Sequence, residues 1–382
     1  NAGTGSSISI DDSNNGYVIF KVGSKNIKVP RYNAALSLVI TDPDDQIVED
    51  EYMRSIAYGK TATFTYSGLN SGSTIVVIAP TGWSATLDRA KSRINITSPS
   101  ESDCSSHPEW AGPVETIILV SDGSGMNALP IRTIASDYLY CNADNLEAML
   151  EKHHDVEKLK VSGKLTSEHM AKIKELNSLK EIDLEDATLE GNAIPENQFL
   201  GKKTLTTVKL PKGLKKIGVS AFQGCSALSD ITIGDQVTDL LNYAFLGCSS
   251  LKSINVPGSV KNIGKSAFGN CSGLSTITIE EGLVNIDANA FSGCTNITKI
   301  TLPSTVKKMW TSVFLNCSLL GELRCLATTP PEFEALGDIG EALGYGLPKD
   351  FKITVPSGCV DTYKKANGWV QYSNDIEAMP PS

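Results

Sequence analysis

From Val156 to Cys325 the chain repeats itself every 23 residues. The segments AFQGC, AFLGC, AFGNC, AFSGC and VFLNC place Phe222, Phe245, Phe268, Phe291 and Phe314 at that interval. Cys225, Cys248, Cys271, Cys294 and Cys317 keep the same step. A second apolar register opens with Leu205, Leu228, Leu251, Leu274, Ile297 and Leu320, each starting an L-x-x-I-x-L-like string. A third lies between them: Leu214/Ile217, Val237/Leu240, Val260/Ile263, Leu283/Ile286 and Val306/Met309. A coil this short cannot bury its own apolar face, so three columns at one period imply a solenoid of stacked coils. Equivalent residues then lie about 4.8 Å apart and form inward ladders.

The L-x-x-I-x-L string is the leucine-rich-repeat signature. Its first and last apolar positions face in, so the residues beside the central isoleucine point outward on a short strand. One outward column runs Thr207, Asp230, Ser253, Thr276, Lys299, Glu322, and the other Lys209, Thr232, Asn255, Thr278, Thr301, Arg324. Repeat proteins bind partners on such extended faces, although β-branched and polar residues also suit any solvated sheet. The two columns contain no aromatic residue. Lacking a stacking platform, the face fits a protein partner better than a glycan.

The ends of the array depart from the repeat, as capping coils should. Residues 144–154 (DNLEAMLEKHH) read as a cap helix with Asp144 as N-cap and Leu146, Met149 and Leu150 as its apolar face. Leu159/Val161 and Ile182/Leu184 belong to two earlier leucine-type strings, with a helical stretch at 167–176 between them. Phe199 extends the aromatic column backwards, but Lys202 stands where the cysteine should be. After Cys325 the Pro/Gly-rich stretch 327–350 reads as an irregular excursion. FKITVP then gives one more strand, and SGCVDTYKKANGWVQY a closing helix that lays Val360, Tyr363 and Trp369 over the last coil.

The coil AFxGC–L-x-x-I-x-L-P–V-x-x-I-G-x resembles the BspA-type (treponemal or type-5) leucine-rich repeat. The lead-in LKVSGKL…IKELNSLKEIDLEDATLEGNAIPENQF and the cap ITVPSGCVDTYKKANGWVQY resemble those of such proteins from Bacteroidetes, so the likeness spans about 240 of 382 residues. Lys202, Val313 in place of the usual Ala, and Trp310 where other coils carry Gly, Leu or Asp are the departures. The resemblance implies a surface-exposed or secreted bacterial protein, often an outer-membrane lipoprotein, adhering to host matrix, other cells or glycans. It carries no residue-level binding motif. A chain opening at Asn1 without Met, in a polar Gly/Ser stretch, has the look of one whose export signal has been removed, and a lipid anchor upstream of Asn1 belongs to the same expectation.

Residues 1–136 lack the period and read as a β-domain, leaving 137–382 to the repeat domain (cap helix 144–154, repeats about 156–325, C-terminal cap 351–376). Seven short runs rich in Val, Ile, Thr and aromatics (17–22, 36–41, 61–66, 74–79, 92–97, 114–120, 128–134) suit an antiparallel sandwich. TIVVIAPTGWSATLD, SRINITSP and VETIILVSDGSG resemble the Ig-like module of exported Bacteroidetes proteins. The expected architecture is therefore multidomain: an all-β Ig-like sandwich followed by a leucine-rich-repeat solenoid of the α/β superhelix class, mostly short strands and turns with capping helices. Trp83 reads as a core or sheet-edge aromatic, and the polar loop 98–112 holds His107 and Trp110. Trp110 can stack on a sugar or equally fold back on the sheet, and the first reading gives the alternative function: a glycan-binding protein using the sandwich loops around Trp83 and Trp110.

Chemistry has little to stand on. The four histidines, His107, His153, His154 and His169, form no H-E-x-x-H spacing. There is no G-x-S-x-G elbow and no phosphate-cradling glycine loop. Asp11–Gly16 begins like a calcium loop but has Val22 at the twelfth position, so it reads as a hairpin turn. The carboxylates at 42–45 and 49–51 read as solvated charge. Five of nine cysteines share one repeat position, which fits a packing ladder of free thiols better than a disulfide framework. The net charge of -9 is spread over both halves, with no basic run, so nucleic acid and anionic membrane are poor partners. No apolar run reaches the ~18 residues a membrane span needs. The expectation is a non-enzymatic surface protein with no catalytic residue, no metal and no cofactor.

Overall fold

The computed structural model describes residues 8–11, 17–22, 25–30, 39–41, 53–69, 72–107, 110, 114–121, 126–334 and 342–380. The chain divides into two compact units, Asn1–Tyr140 and Cys141–Ser382. Residues 12–16, 42–52 and 122–125 lie outside the described residues, so the hairpin turn and the acidic clusters expected there are not placed.

In the first unit Ile8–Asp11, Tyr17–Val22 and Lys25–Pro30 form an antiparallel three-stranded sheet. A four-stranded sheet runs Val39–Thr41, Thr61–Ser67, Arg93–Thr97, Ser84–Asp88. Another runs Met53–Ile56, Met126–Ala135, Val114–Ser121, Thr74–Ile78. The two four-stranded sheets share one apolar cluster: Phe64, Ile94 and Ile96 from the first meet Ile118, Val120 and Ile131 from the second. Period-2 alternation explains it, since Ala62 and Phe64 are buried and Tyr66 packs against the same cluster. Trp83 joins this core.

Two expectations need correction. The arrangement is not wholly antiparallel, because Met126–Ala135 pairs in parallel with Met53–Ile56. The polar loop at 98–112 contains a helix, Glu101–Ser106, closed by a capping box: Ser100 Oγ accepts from Asp103 N–H at 3.1 Å, and the Asp103 carboxylate accepts from Ser100 N–H at 3.3 Å. Cys104 is its only buried residue, so no apolar period announced it.

The second unit begins with the helix Leu146–Lys152, whose Leu146, Met149 and Leu150 are buried as their spacing requires. Its N-cap is Asn145 rather than Asp144, and the Asn145 side chain accepts from Asn142 N–H at 2.9 Å instead of capping the helix. A second helix, Ser167–Glu175, has a capping box of Thr166 and His169, which gives that histidine a structural post.

The coils then stack in parallel register. The leucine-type strings make one face: Lys158–Leu165, Glu181–Asp183, Thr207–Lys209 and Asp230–Ile231; then Ser253–Val256 with Thr276–Ile279; then Lys299–Leu302, Glu322–Cys325, Lys352–Val355 and Ile376–Ala378. The third apolar register makes a second sheet of seven parallel strands, which the ladder reading alone did not foresee. Its strands are Ala193–Ile194, Lys216–Ile217, Asp239–Leu240, Asn262–Ile263, Asn285–Ile286, Lys308–Trp310 and Glu332–Glu334. The excursion at 327–350 is therefore not wholly irregular: Glu332–Glu334 supplies the seventh strand, with Phe333 buried beneath it.

Between the sheets run the two named ladders. The rings from Phe199 to Phe314 stack with centroids 5.3 to 5.8 Å apart and planes within 12°. Each cysteine thiol donates to the carbonyl of the phenylalanine one coil back, from Cys225 to Phe199 at 3.0 Å through Cys317 to Phe291 at 3.2 Å. That carbonyl also accepts an N–H within its own coil, as Phe222 O does from Cys225 at 3.1 Å, so both its lone pairs are used. A buried carbonyl needs such partners, which is why a thiol serves here better than a methyl. Lys202 keeps the pattern at the head of the column, its ammonium donating to Leu176 O. All nine cysteines are free. Each coil also turns through left-handed residues at two fixed places: Asn197, Ser220, Tyr243, Ser266, Asn289 and Ser312 at the first, and Gly201, Gly224, Gly247, Asn270, Gly293 and Asn316 at the second.

The far end is sealed by Tyr363 and Trp369, both fully buried. Tyr363 OH donates to Ala327 O and Trp369 Nε1 to Pro331 O, each at 2.8 Å. The closing helix is broken into Ser357–Cys359, Val360–Lys365 and Val370–Tyr372, because the chain turns at Gly368 with φ +77°. Val360, expected over the last coil, is half-buried beside them.

Candidate functional site

The outward positions of the first sheet form the candidate face. In-register pairing sets Thr207 beside Asp230, Ser253 beside Thr276 and Lys299 beside Glu322. The neighbouring column sets Asn255 beside Thr278 and Thr301 beside Arg324. Lys209 pairs with Asp183, and Thr232 lies one residue past the strand Asp230–Ile231. None of these twelve side chains is buried, while Val208, Ile231, Ile254, Ile300 and Leu323 between them are. The strand period alone produces that division.

The columns are longer than the repeat count suggests. Lys158, Glu181, Lys160 and Asp183 extend them at the head, and Lys352, Thr354 and Glu377 at the tail. The signal was present in the strings around Leu159, Ile182 and Ile353, whose flanking residues occupy the same outward places.

Charge is arranged unevenly along this face. At the head Lys158 bridges Glu181 at 2.9 Å, and Asp183 sits between Lys209 at 3.1 Å and Lys160 at 3.7 Å. At the tail Lys299 bridges Glu322 at 2.6 Å, Thr354 donates to Glu322 at 2.9 Å, and Lys352 bridges Glu377 at 3.0 Å. Burial pushes the Glu322 carboxyl up, but the bonds from Lys299 and Thr354 outweigh it and hold the group below its ordinary value. Surface ion pairs of this kind add little stability, so their effect is to occupy the charges at both ends. The middle differs. Thr232, Ser253, Thr276 and Thr278 make no side-chain hydrogen bond to another described residue, and Asn255 donates to Glu280 at 2.9 Å.

The second sheet presents its own outward column, Lys216, Asp239, Asn262, Asn285 and Lys308, with Trp310 at its edge. Sequence reasoning noted Trp310 only as a departure from the repeat.

In the first unit, Trp83 Nε1 donates to Trp110 O at 3.1 Å. The Trp110 ring stacks on His107 at 4.0 Å and 6°, and it lies so close over Gly82 that a Cβ there would come within 2.4 Å of it. Trp110 is thus packed against its own domain rather than standing free as a platform. The described residues contain no group of three or more His, Cys, Asp or Glu able to hold a metal. No helix among them is long and apolar enough to cross a membrane.

Residues 192–320 match the model of the BspA type leucine rich repeat region in six copies. Among solved structures, the chain is similar to a T. pallidum leucine-rich repeat protein (TpLRR) at 25% identity, covering 48% of this chain and 78% of that one with a TM-score of 0.35. It is similar to a leucine-rich cell surface protein of Faecalibacterium prausnitzii A2-165 at 18% identity, 75% and 72% coverage and a TM-score of 0.33. It is also similar to the pneumococcal vaccine antigen PcpA at 17% identity, 59% and 72% coverage and a TM-score of 0.31. Among curated proteins none matches the chain. Residues 192–320 thus form a BspA-type leucine-rich repeat region.

Proposed function

We propose that this is a non-enzymatic cell-surface or secreted interaction protein that binds a protein partner through the first sheet of its solenoid. The first unit, read as an Ig-like sandwich, serves as a spacer. The observation that carries the reading is the unpaired centre of the face: Thr232, Ser253, Thr276 and Thr278 lie in adjacent coils, with ion-paired coils on both sides. A partner docking there desolvates mostly hydroxyls and methyls, which is the cheaper surface to bury, and meets one exposed carboxylate, Asp230, in the coil of Thr232. The paired ends then set register by charge complementarity. Adhesion to host matrix or to another cell is the biological setting that suits such a face.

The test is binding of the full chain to immobilised extracellular-matrix glycoproteins by biolayer interferometry. Binding to at least one of them, weakened tenfold or more by the pair Thr232→Arg and Thr276→Arg, supports the assignment. Equal binding by wild type and variant removes the face from the interaction.

A further inference from the structure

The second sheet carries a groove that stacking does not require. It crosses the strands Asp239–Leu240, Asn262–Ile263, Asn285–Ile286, Lys308–Trp310 and Glu332–Glu334 and encloses about 400 Å³. Five strands span roughly 19 Å at ~4.8 Å each. Trp310 is its anomaly: the same position in other coils holds Gly218, Leu241, Gly264 and Asp287. The indole is half-buried, and its Nε1–H meets no acceptor among the described residues.

The polar groups beside it are held by one bond and keep the rest of their capacity. Asn285 Nδ2 donates to Asn262 Oδ1 at 2.6 Å, which leaves Asn262 Nδ2 and Asn285 Oδ1 unused. Asn242 Oδ1 accepts from Lys265 N–H at 2.9 Å, leaving its own Nδ2. Asp287 Oδ1 accepts from Ala288 N–H at 2.7 Å, leaving Oδ2. Lys308 is tied to Glu334. Each planar group is therefore fixed in direction, with donors left on Asn242 and Asn262 and acceptors on Asn285 and Asp287.

Charge narrows the ligand. Asp239, Asp287 and Glu334 face one ammonium, Lys308, so the groove repels polyanions. A hydroxyl-rich neutral molecule answers all of these features. Vicinal hydroxyls both donate and accept, matching amides and carboxylates, and the C–H face of a pyranose covers an indole. We propose that this groove binds a neutral glycan chain lying across the strands, with Trp310 as the stacking platform and the Asn262–Asn285 pair as the hydroxyl reader. The site is separate from the protein-binding face, which lies on the other sheet.

Affinity electrophoresis of the full chain through gels containing soluble β-glucan, galactomannan, arabinoxylan or pullulan tests it, with a sulfated polysaccharide gel as the charge control. Retardation by at least one neutral polymer is expected, with the apparent affinity falling tenfold or more in Trp310→Ala. The double variant Asn262→Ala and Asn285→Ala is expected to weaken binding likewise, and it covers the case in which loss of the indole unfolds the last coils. The pair Thr232→Arg and Thr276→Arg should leave the retardation unchanged. Migration unaffected by every neutral polymer, retardation by the sulfated gel alone, or undiminished retardation in folded groove variants would each overturn the site.

Discussion

Phe64 and Phe268 are both fully buried phenylalanines, yet they are buried in different ways. Phe268 lies between two copies of itself, with ring centroids 5.3 and 5.6 Å away, in a ladder whose every rung is set by the same 23-residue step. Phe64 sits in a cluster assembled once, from strands that pair across irregular intervals, such as Phe64 with Ile94 and Ile118 with Val77. The solenoid obtains its core by repetition, and the first unit obtains its core by arrangement. Repetition makes a core readable from one line of sequence, because each rung testifies for the next. Arrangement does not.

The largest expected effect tests both cores together. Phe268→Ala and Phe64→Ala should each cost about 3–5 kcal/mol. Phe268 belongs at the upper end, since each lost ring contact is worth about 0.5–1.5 kcal/mol more. Denaturant midpoints of the full chain measure this, and an unmoved midpoint for Phe268→Ala would contradict the ladder.

The next difference is chemical. Burial pushes the thiols of Cys225, Cys271 and Cys317 up to about 12 from an ordinary value near 9, and Cys248 and Cys294 move in the same direction. A raised folded value means that the native state keeps a proton that the unfolded state releases. Stability is thus whole below about pH 9 and declines towards pH 12, by about 1.4 kcal/mol per pH unit for each such thiol. The first unit has one cysteine, Cys104, so the alkaline loss concentrates in the solenoid. Urea melts between pH 8 and 11 should show the decline, and Cys271→Ala should shallow it by one proton.

A smaller effect sharpens the contrast from the other side. Ser100→Ala removes the capping box of the helix Glu101–Ser106 and should cost about 1 kcal/mol. Thermal melts of the full chain would register it, and no change would mean that this helix is held by Cys104 burial alone. Least of all, Thr276→Arg should alter stability by no more than about 0.5 kcal/mol, because its side chain is exposed and bonds to nothing described. A larger loss in calorimetry would place Thr276 in the structure rather than on its surface.

The same contrast explains what the sequence disclosed. The Phe, Cys and leucine columns by themselves mark the inward residues of the array and both outward columns of its first sheet. The second sheet escaped notice because its strands are two or three residues long, such as Asn262–Ile263, too short for alternation to show. Its column of Lys216, Asp239, Asn262, Asn285 and Lys308 keeps the 23-residue step all the same. The capped helix Glu101–Ser106 has only Cys104 to bury, and the parallel pairing of Met126–Ala135 depends on a distant strand. Neither leaves a local period. Trp110 is open in sequence to two readings, a sugar platform or a ring folded back on the sheet, because a loop tryptophan carries no sign of the glycine on which it will rest.

The thiol-to-carbonyl bonds have a further consequence for how such a molecule can change length. Every one reaches back 26 residues to the coil before, and Lys202 begins the series with the same reach to Leu176. Each unit therefore offers its successor what it received from its predecessor. A duplicated 23-residue segment spliced between Phe245 and Phe268 would find both neighbours already fitted to it. The protein would grow by one strand spacing, about 4.8 Å, with its two lids untouched.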